Sequence, residues 1–215
     1  MKFKAVLFDL DGTLVNSLFD LADSVNHVLA AHGFYTHPTD SYKYFVGNGI
    51  PKMIRRAMPE NEGDEMHQTL INEFLEYYAI HSLDKTAPYD GIRELVGDLK
   101  AAGIKVAVVT NKAQEAANVV ITKLFGDVFD CIMGLRPGIP AKPDPTSVFM
   151  VMKELGVTPE ECAFVGDTSM DIAVGVNSGA YPVGVLYGFR ELEELREAGA
   201  KVFAKDAKEL KEILL

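Results

Sequence analysis

Short apolar runs alternate with helical stripes along most of this chain, and the alternation fails once. The run from Phe3 to Phe8 reads as a buried strand that ends in Asp9 and Asp11. Helical spacing follows at Leu18, Leu21, Ala22, Val25, Val28 and Leu29, with Ser17 and Asp20 as a capping arrangement and Gly33 as a stop. No strand comes next. Residues 40–46 read as a short helix, Gly47-Asn48-Gly49 as a turn, and Pro51 opens a helix that runs through Ala57. Residues 64–81 are helical again, with Met66, Leu70, Phe74, Leu75 and Tyr78 on one face. Roughly 65 residues of helix thus stand where a single crossover needs far fewer, which predicts a helical insertion over residues 16–81.

From residue 82 the pattern is regular. A helix striped by Ile92, Leu95, Val96 and Leu99 stops at Gly103, and residues 104–109 form the next strand. A helix over 113–124 leads to a strand over 129–133, and Asp144 caps a helix with Pro145 at its first position and Gly156 at its end. The strand at 162–165 ends in Gly166-Asp167, and a short helix stops at Gly179. A strand at 182–186 follows, then helices at 190–198 and 206–215 around a brief strand at 202–203. Apolar strands alternating with amphipathic helices predict an α/β core over residues 1–15 and 82–215: a doubly wound parallel sheet covered on both faces.

The 215 residues carry a net charge of −10, which argues against general binding to nucleic acid or an anionic membrane but leaves room for a local basic pocket. No run reaches transmembrane length, and the first residues lack the flanks of a signal peptide. Cys131 and Cys162 sit inside apolar runs, the pattern of buried reduced thiols, and this fits a reducing cytoplasm. His27, His32, His37, His67 and His81 lack zinc-ligand spacing, so surface or packing roles are expected. Whether the chain forms a homodimer is left open.

Ligands of such sheets bind outside the carboxyl ends of the strands. Asp9, Asp11, Thr110 and Asp167 all fall at those ends. Alternation puts Asp9 and Asp11 on one side of the chain, where two close anions need a cation or a shared proton. Each feature alone has an ordinary reading. Asp167 and Asp171 suit a helix N-terminus, Thr110-Asn111 suits a turn, and Lys142 and Lys112 suit solvated loops. Gly47-Asn48-Gly49 suits a connecting turn, and Lys52, Arg55 and Arg56 suit a solvated helix face. Four strand ends that all carry apt chemistry are harder to explain one at a time.

The segment Phe8-Asp9-Leu10-Asp11-Gly12-Thr13 resembles the nucleophile motif of the haloacid dehalogenase-like phosphohydrolases. Val109-Thr110-Asn111, Lys142-Pro143 and Gly166-Asp167-Thr168-Ser169-Met170-Asp171 resemble the family's second, third and fourth motifs, in order. Pro88-Tyr89-Asp90-Gly91, Thr110-Asn111-Lys112 and Tyr187-Gly188 extend the resemblance to the phosphoglycolate phosphatase-like branch. The resemblance implies a Rossmann-like core with a small α-helical cap, and a Mg²⁺-dependent phosphatase of small phosphate monoesters. For that branch 2-phosphoglycolate is the typical substrate. It implies Asp9 as nucleophile, Asp11 as acid and base, and Mg²⁺ held by Asp9, the Asp11 carbonyl and Asp167. Phosphoryl contacts would come from backbone N–H groups at Asp11 and Gly12, and from Thr110, Asn111 and Lys142. Asp171 would orient Lys142 or metal-bound waters rather than ligate the metal itself. In the cap, Gly47, Asn48, Gly49, Lys52, Arg55 and Arg56 are candidates for reading the substrate, with Arg136 and Arg190 weaker ones in the core. Sugar-phosphate phosphatases, 5′-nucleotidases, pyrophosphatases and phosphomutases share these motifs. A non-enzymatic receiver domain would be shorter, and its phosphorylated Asp would come later in the chain.

Overall fold

The computed structural model describes residues 3–215. In chain order, β1 (Ala5–Phe8) leads to a two-residue strand β2 (Val15–Asn16) and then to four helices. These are α1 (Leu18–Ala31), α2 (Tyr42–Phe45), α3 (Ile50–Ala57) and α4 (Asp64–His81). A second two-residue strand, β3 (Ala87–Pro88), returns the chain to α5 (Ile92–Ala101), β4 (Lys105–Ala113), α6 (Gln114–Phe125) and β5 (Cys131–Leu135). After α7 (Thr146–Leu155) come β6 (Cys162–Gly166), α8 (Ser169–Ser178), β7 (Tyr181–Val185), α9 (Leu192–Glu197), β8 (Val202–Ala204) and α10 (Ala207–Leu214).

Six strands form one sheet in the order β5-β4-β1-β6-β7-β8, with every pair parallel. The period of two divides its faces. Val6, Phe8, Val106, Val108 and Val165 pack with Leu95, Val120 and Leu210 on one side. Ala5, Leu7, Ala107, Val109 and Phe164 pack with Val148, Val151 and Val174 on the other. Both faces are covered, so the central strands carry no polar side, as their unbroken apolar runs predict. Each large buried side chain, Phe8 and Phe164 among them, contributes about 1.5–3 kcal/mol.

Helices α1 to α4 enclose a separate apolar cluster built on Leu21, Val25, Ile54, Leu70 and Phe74, and Phe189 from the sheet side inserts into it. The small ladder of β2 with β3, antiparallel through Val15–Pro88 and Asn16–Ala87, escapes a reading by periodicity because two residues show none. It lies where the chain leaves the sheet and where it returns.

The start of α1 differs from the expectation of a Ser17 cap. Ser17 makes no side-chain cap and its Oγ is buried with no partner among the described residues, while Asn16 Oδ1 accepts the Leu18 N–H at 3.3 Å. Asp20 turns away from its own helix end to the returning chain. It accepts the N–H groups of Lys85 at 3.0 Å and Thr86 at 2.8 Å and the Thr86 hydroxyl at 2.7 Å. A buried carboxylate (2% exposed) with those donors clamps the two connections together. Asp20→Ala leaves two N–H groups without an acceptor and is expected to destabilise the protein by about 3 kcal/mol, read as a lower urea midpoint. A midpoint unchanged from wild type would show that the clamp adds nothing.

Two smaller shifts have local causes. Helix α7 begins at Thr146, one residue later than expected, because Asp144 Oδ1 accepts the Thr146 N–H at 2.9 Å and holds Pro145 outside the first turn. Strand β4 runs to Ala113 rather than Val109, and its register with β5 slips between Val109 and Ala113. Such an irregularity re-aims side chains at a strand end, and here it acts on Thr110, Asn111 and Lys112.

Candidate active site

The carboxyl ends of β1, β4 and β6 bring the predicted residues together. Lys142 lies at the centre, its Nζ donating to Asp9 Oδ1 at 2.7 Å, Asp171 Oδ1 at 2.6 Å and the Val109 carbonyl at 3.0 Å. Its side chain is 3% exposed, so the expected alternative of a solvated loop lysine does not hold. Burial works against the ammonium, but Asp171 and Asp9 outweigh it and raise the Lys142 pKa above the usual lysine range. Lys142 is therefore a fixed positive charge.

Asp171 has both oxygens engaged, Oδ1 by Lys142 and Oδ2 by the Thr168 N–H at 2.9 Å and hydroxyl at 2.7 Å. The helix-capping reading and the Lys142-orienting reading of Asp171 thus both describe it. Asp167, fully buried, accepts the Thr13 hydroxyl at 2.9 Å and the Phe189 N–H at 2.8 Å. Asp9 differs from both. Lys142 takes its Oδ1, and its Oδ2 has no hydrogen-bond partner among the described residues.

Asp11 and Gly12 lie beyond the regular part of the first strand. Regular strand ends at Phe8, and Asp11 reaches a different lysine from Asp9: Lys112 Nζ stands 3.1 Å from each of its oxygens. Lys112 was expected to be solvated. Its side chain is instead 5% exposed and also donates to the Tyr78 hydroxyl on α4 at 2.8 Å. The register slip in β4 and the helical layer above it account for that burial, and neither leaves a mark in local sequence. Gly12 was expected to offer its N–H to phosphate, but that N–H donates to the Val15 carbonyl at 2.9 Å. The glycine is needed for space: at a φ of 91°, a Cβ here would sit 2.2 Å from Asp167 Oδ2. The Asp11 N–H, by contrast, has no acceptor among the described residues.

Thr110 is buried and lines a cavity of about 350 Å³ between the strand ends and the helices. Asp9, Asp11, Asn111 and Lys112 line the same cavity, as do Gly47 and Gly49. Asn111, expected to face phosphate, uses its amide as a brace: Nδ2 donates to the Gly47 carbonyl at 3.0 Å and Oδ1 accepts the Lys142 N–H at 2.8 Å. Asn48, Lys52, Arg55 and Arg56 are not among the lining residues. Arg55 pairs with Asp64 at 2.5 Å, and Arg56 donates to the Phe45 carbonyl at 2.8 Å and to Asn48 Oδ1 at 2.7 Å. Those guanidinium groups serve the helices' own structure. Arg190 donates to the Val46 carbonyl at 3.0 Å, another tie between the sheet side and the helices. Arg136 brings no charge to the cavity, its guanidinium lying 3.5 Å from Met133 Sδ.

A family model described as haloacid dehalogenase-like hydrolase matches residues 6–185. The chain belongs to the haloacid dehalogenase-like hydrolases. A phosphoglycolate phosphatase from Haemophilus influenzae is 33% identical over 99% of this chain and 99% of its own. One from Pseudomonas savastanoi pv. phaseolicola is 33% identical over 96% of this chain and 78% of its own. A crystal structure of a protein from Lactobacillus delbrueckii subsp. bulgaricus superposes with a TM-score of 0.95 at 32% identity, covering 100% of this chain and 99% of that one. Among the described residues no helix is long and apolar enough to cross a membrane. Cys131 and Cys162 are free and buried, and burial pushes each thiol up to about 12.

In this haloacid dehalogenase-like hydrolase the donor set fits a divalent cation. Asp9, Asp167 and Asp171 are buried with ligand atoms within 4.8 Å of one another, and among the described residues Lys142 is the one ammonium bonded to them. Three carboxylates against one ammonium leave an excess of buried negative charge, and an all-oxygen set suits a hard cation. Without a cation, burial and then the Asp171 charge push Asp9 from 3.8 up to about 6, against the pull of Lys142. Burial and Asp171 also raise Asp167 well above the carboxylate range.

The sign of the resulting pH dependence is fixed. A carboxyl raised on folding holds a proton that the unfolded chain has released, so metal-free stability falls as pH rises from 3.8 through about 6 and stays lower above. A divalent cation prefers the ionised form, so its stabilisation grows through the same window. The rise in Tm on adding Mg²⁺ is expected to be clearly larger at about pH 7.5 than at about pH 5. Equal rises at both would contradict a site built on these carboxylates.

Proposed function

We propose that this chain is a Mg²⁺-dependent phosphatase of small phosphate monoesters, 2-phosphoglycolate foremost, acting through an aspartyl-phosphate on Asp9. The observation that carries it is Asp9 itself, one oxygen fixed by Lys142 and the other, beside the cavity, without a hydrogen-bond partner among the described residues. The relatives described as phosphoglycolate phosphatases over nearly the whole chain support the choice of substrate.

Mg²⁺ held by Asp9, the Asp11 carbonyl and Asp167 would supply charge neutralisation at the phosphoryl group. The remaining work falls to the side chains. Asp9 Oδ2 attacks phosphorus and the leaving oxygen departs, which splits one hard hydrolysis into two easier steps. Asp11 donates a proton to the leaving alkoxide, then takes one from the water that attacks phosphorus; the bond from phosphorus to Asp9 Oδ2 breaks, inorganic phosphate leaves, and both carboxyls return to their starting forms. The Thr110 hydroxyl and the Asp11 N–H receive phosphoryl oxygens, and Lys142 offsets their charge. Asp171 and Thr168 keep Lys142 aimed. Residues 16–81 act as a cap that excludes water while Asp9 attacks and opens to admit it afterwards. Asn111 to Gly47, Arg190 to Val46 and Lys112 to Tyr78 are the contacts that such opening would break.

Phosphate release from 2-phosphoglycolate, hexose phosphates, mononucleotides and pyrophosphate with Mg²⁺ tests the reading. The highest kcat/KM is expected for 2-phosphoglycolate. A higher value for a sugar phosphate, nucleotide or pyrophosphate would reassign the substrate, and full activity after exhaustive chelation would remove the metal.

A further inference from the structure

The cavity wall is largely apolar, with Leu21, Ile50, Met53, Leu75 and Val119 in it. At about 350 Å³ it has room for leaving groups larger than glycolate, so volume alone does not choose the substrate. Charge can. Among the described lining residues Lys112 is the one lysine or arginine. The cap cations that the sequence offered for this purpose are absent from the lining.

Lys112 stands in a setting that Lys142 illustrates. The Lys142 ammonium bridges two carboxylates, Asp9 at 2.7 Å and Asp171 at 2.6 Å. The Lys112 ammonium, equally buried, has one carboxylate, Asp11 at 3.1 Å, and a neutral phenol, Tyr78 at 2.8 Å, in the second place. The Tyr78 hydroxyl accepts from Lys112, and its own hydrogen has no acceptor among the described residues.

We infer that Lys112, with the Tyr78 hydroxyl beside it, is the receptor for the carboxylate of a short phosphorylated hydroxy acid and sets the selectivity of the cavity. This rests on the phosphatase reading above. Asp11, as proton donor, faces the ester oxygen of the substrate. In 2-phosphoglycolate the carboxylate lies one methylene from that oxygen, and Lys112 is one contact from Asp11. A bound carboxylate completes a two-carboxylate bridge like that of Lys142 and accepts the Tyr78 hydrogen. A neutral leaving group of the same length brings no second charge to the ammonium, and a hydroxyl in that place accepts only hydrogen bonds that lack the carboxylate's charge. The contact also joins the cap to the selection, because Tyr78 belongs to α4 and Lys112 to β4.

The test compares kcat/KM for 2-phosphoglycolate with that for 2-hydroxyethyl phosphate, which keeps the two-carbon chain and replaces the carboxylate with CH₂OH. Wild type is expected to favour the carboxylated ester by about 100-fold. Lys112→Met slows both esters, because it also releases Asp11. That common loss divides out of the ratio, which is expected to collapse to within about fivefold of one, chiefly through KM on the carboxylated ester. Tyr78→Phe is expected to lower the ratio about fivefold to tenfold, the loss of one hydrogen bond to a charged group. A Lys112→Met enzyme that keeps the wild-type ratio while slowing both esters would overturn the inference, leaving Lys112 as a partner of Asp11 only. Should Lys112→Met fail to fold, the Tyr78→Phe ratio decides, and a value equal to wild type overturns it. A wild-type enzyme with no preference for the carboxylated ester would overturn the substrate reading and this inference together.

Discussion

Asp9→Asn is expected to lose about 10⁴-fold or more in kcat while the protein stays folded. The amide keeps the shape of the carboxylate, and its oxygen can still accept the Lys142 hydrogen bond now made to Oδ1 at 2.7 Å. What disappears is the nucleophile. A second consequence separates this loss from damage. Asp9 in the metal-free protein is repelled by Asp171 and held up by burial to about 6. Removing its charge relieves that repulsion, so the metal-free variant should melt no lower than wild type at neutral pH. The Tm rise on adding Mg²⁺ should shrink, because a ligand oxygen has lost its charge. Phosphate release and melting curves with and without Mg²⁺ check all three. Substantial turnover by Asp9→Asn would remove Asp9 as the attacking group.

Lys142→Met should be nearly as damaging, for a different reason. The ammonium is bonded to two of three clustered carboxylates and is 3% exposed. Removing one partner of a buried pair leaves charge without compensation, which costs about 3–5 kcal/mol. The loss should appear as a lower urea midpoint at neutral pH that Mg²⁺ partly restores, since a cation supplies some of the missing charge. Catalysis should fall by about 10³-fold even with saturating Mg²⁺, because Lys142 both offsets phosphoryl charge and fixes Asp9. Lys142→Arg should recover little. A planar fork cannot place donors on Asp9, Asp171 and the Val109 carbonyl as a tetrahedral ammonium does. A Lys142→Met protein as stable and active as wild type would mean the ion pairs are incidental.

The sheet was legible because its strands are buried on both faces and so read as unbroken apolar runs, Ala5–Phe8 and Cys162–Gly166 most clearly. Their ends were legible because Asp9 and Asp167 interrupt those runs with charge. Helix α4, Asp64–His81, matched its expected bounds because it is long and amphipathic. Contacts distant in sequence were not legible. Nothing near Asp20 announces that it will accept from Lys85 and Thr86, 65 and 66 residues away. Nothing near Lys112 announces Asp11 or Tyr78, since a register slip in β4 sends it inward. The signal that could have found Lys112 was available but weak: a lysine directly after Thr110-Asn111, inside what proved to be strand. Arg55 and Arg56 misled in the opposite sense. Basic residues on a helix near a candidate site invite a substrate role, and here Asp64, Asn48 and backbone carbonyls occupy them.

A phosphorylated Asp9 can be trapped directly. Wild-type enzyme mixed with excess 2-phosphoglycolate and Mg²⁺, quenched within one turnover and treated with borohydride, should carry homoserine where the acyl phosphate was reduced. Peptide mass spectrometry would then locate it. Homoserine at residue 9, absent without substrate and absent from Asp9→Asn, is the predicted result. Homoserine at residue 11 or 167, or rapid phosphate release with residue 9 unmodified at every quench time, would contradict the account.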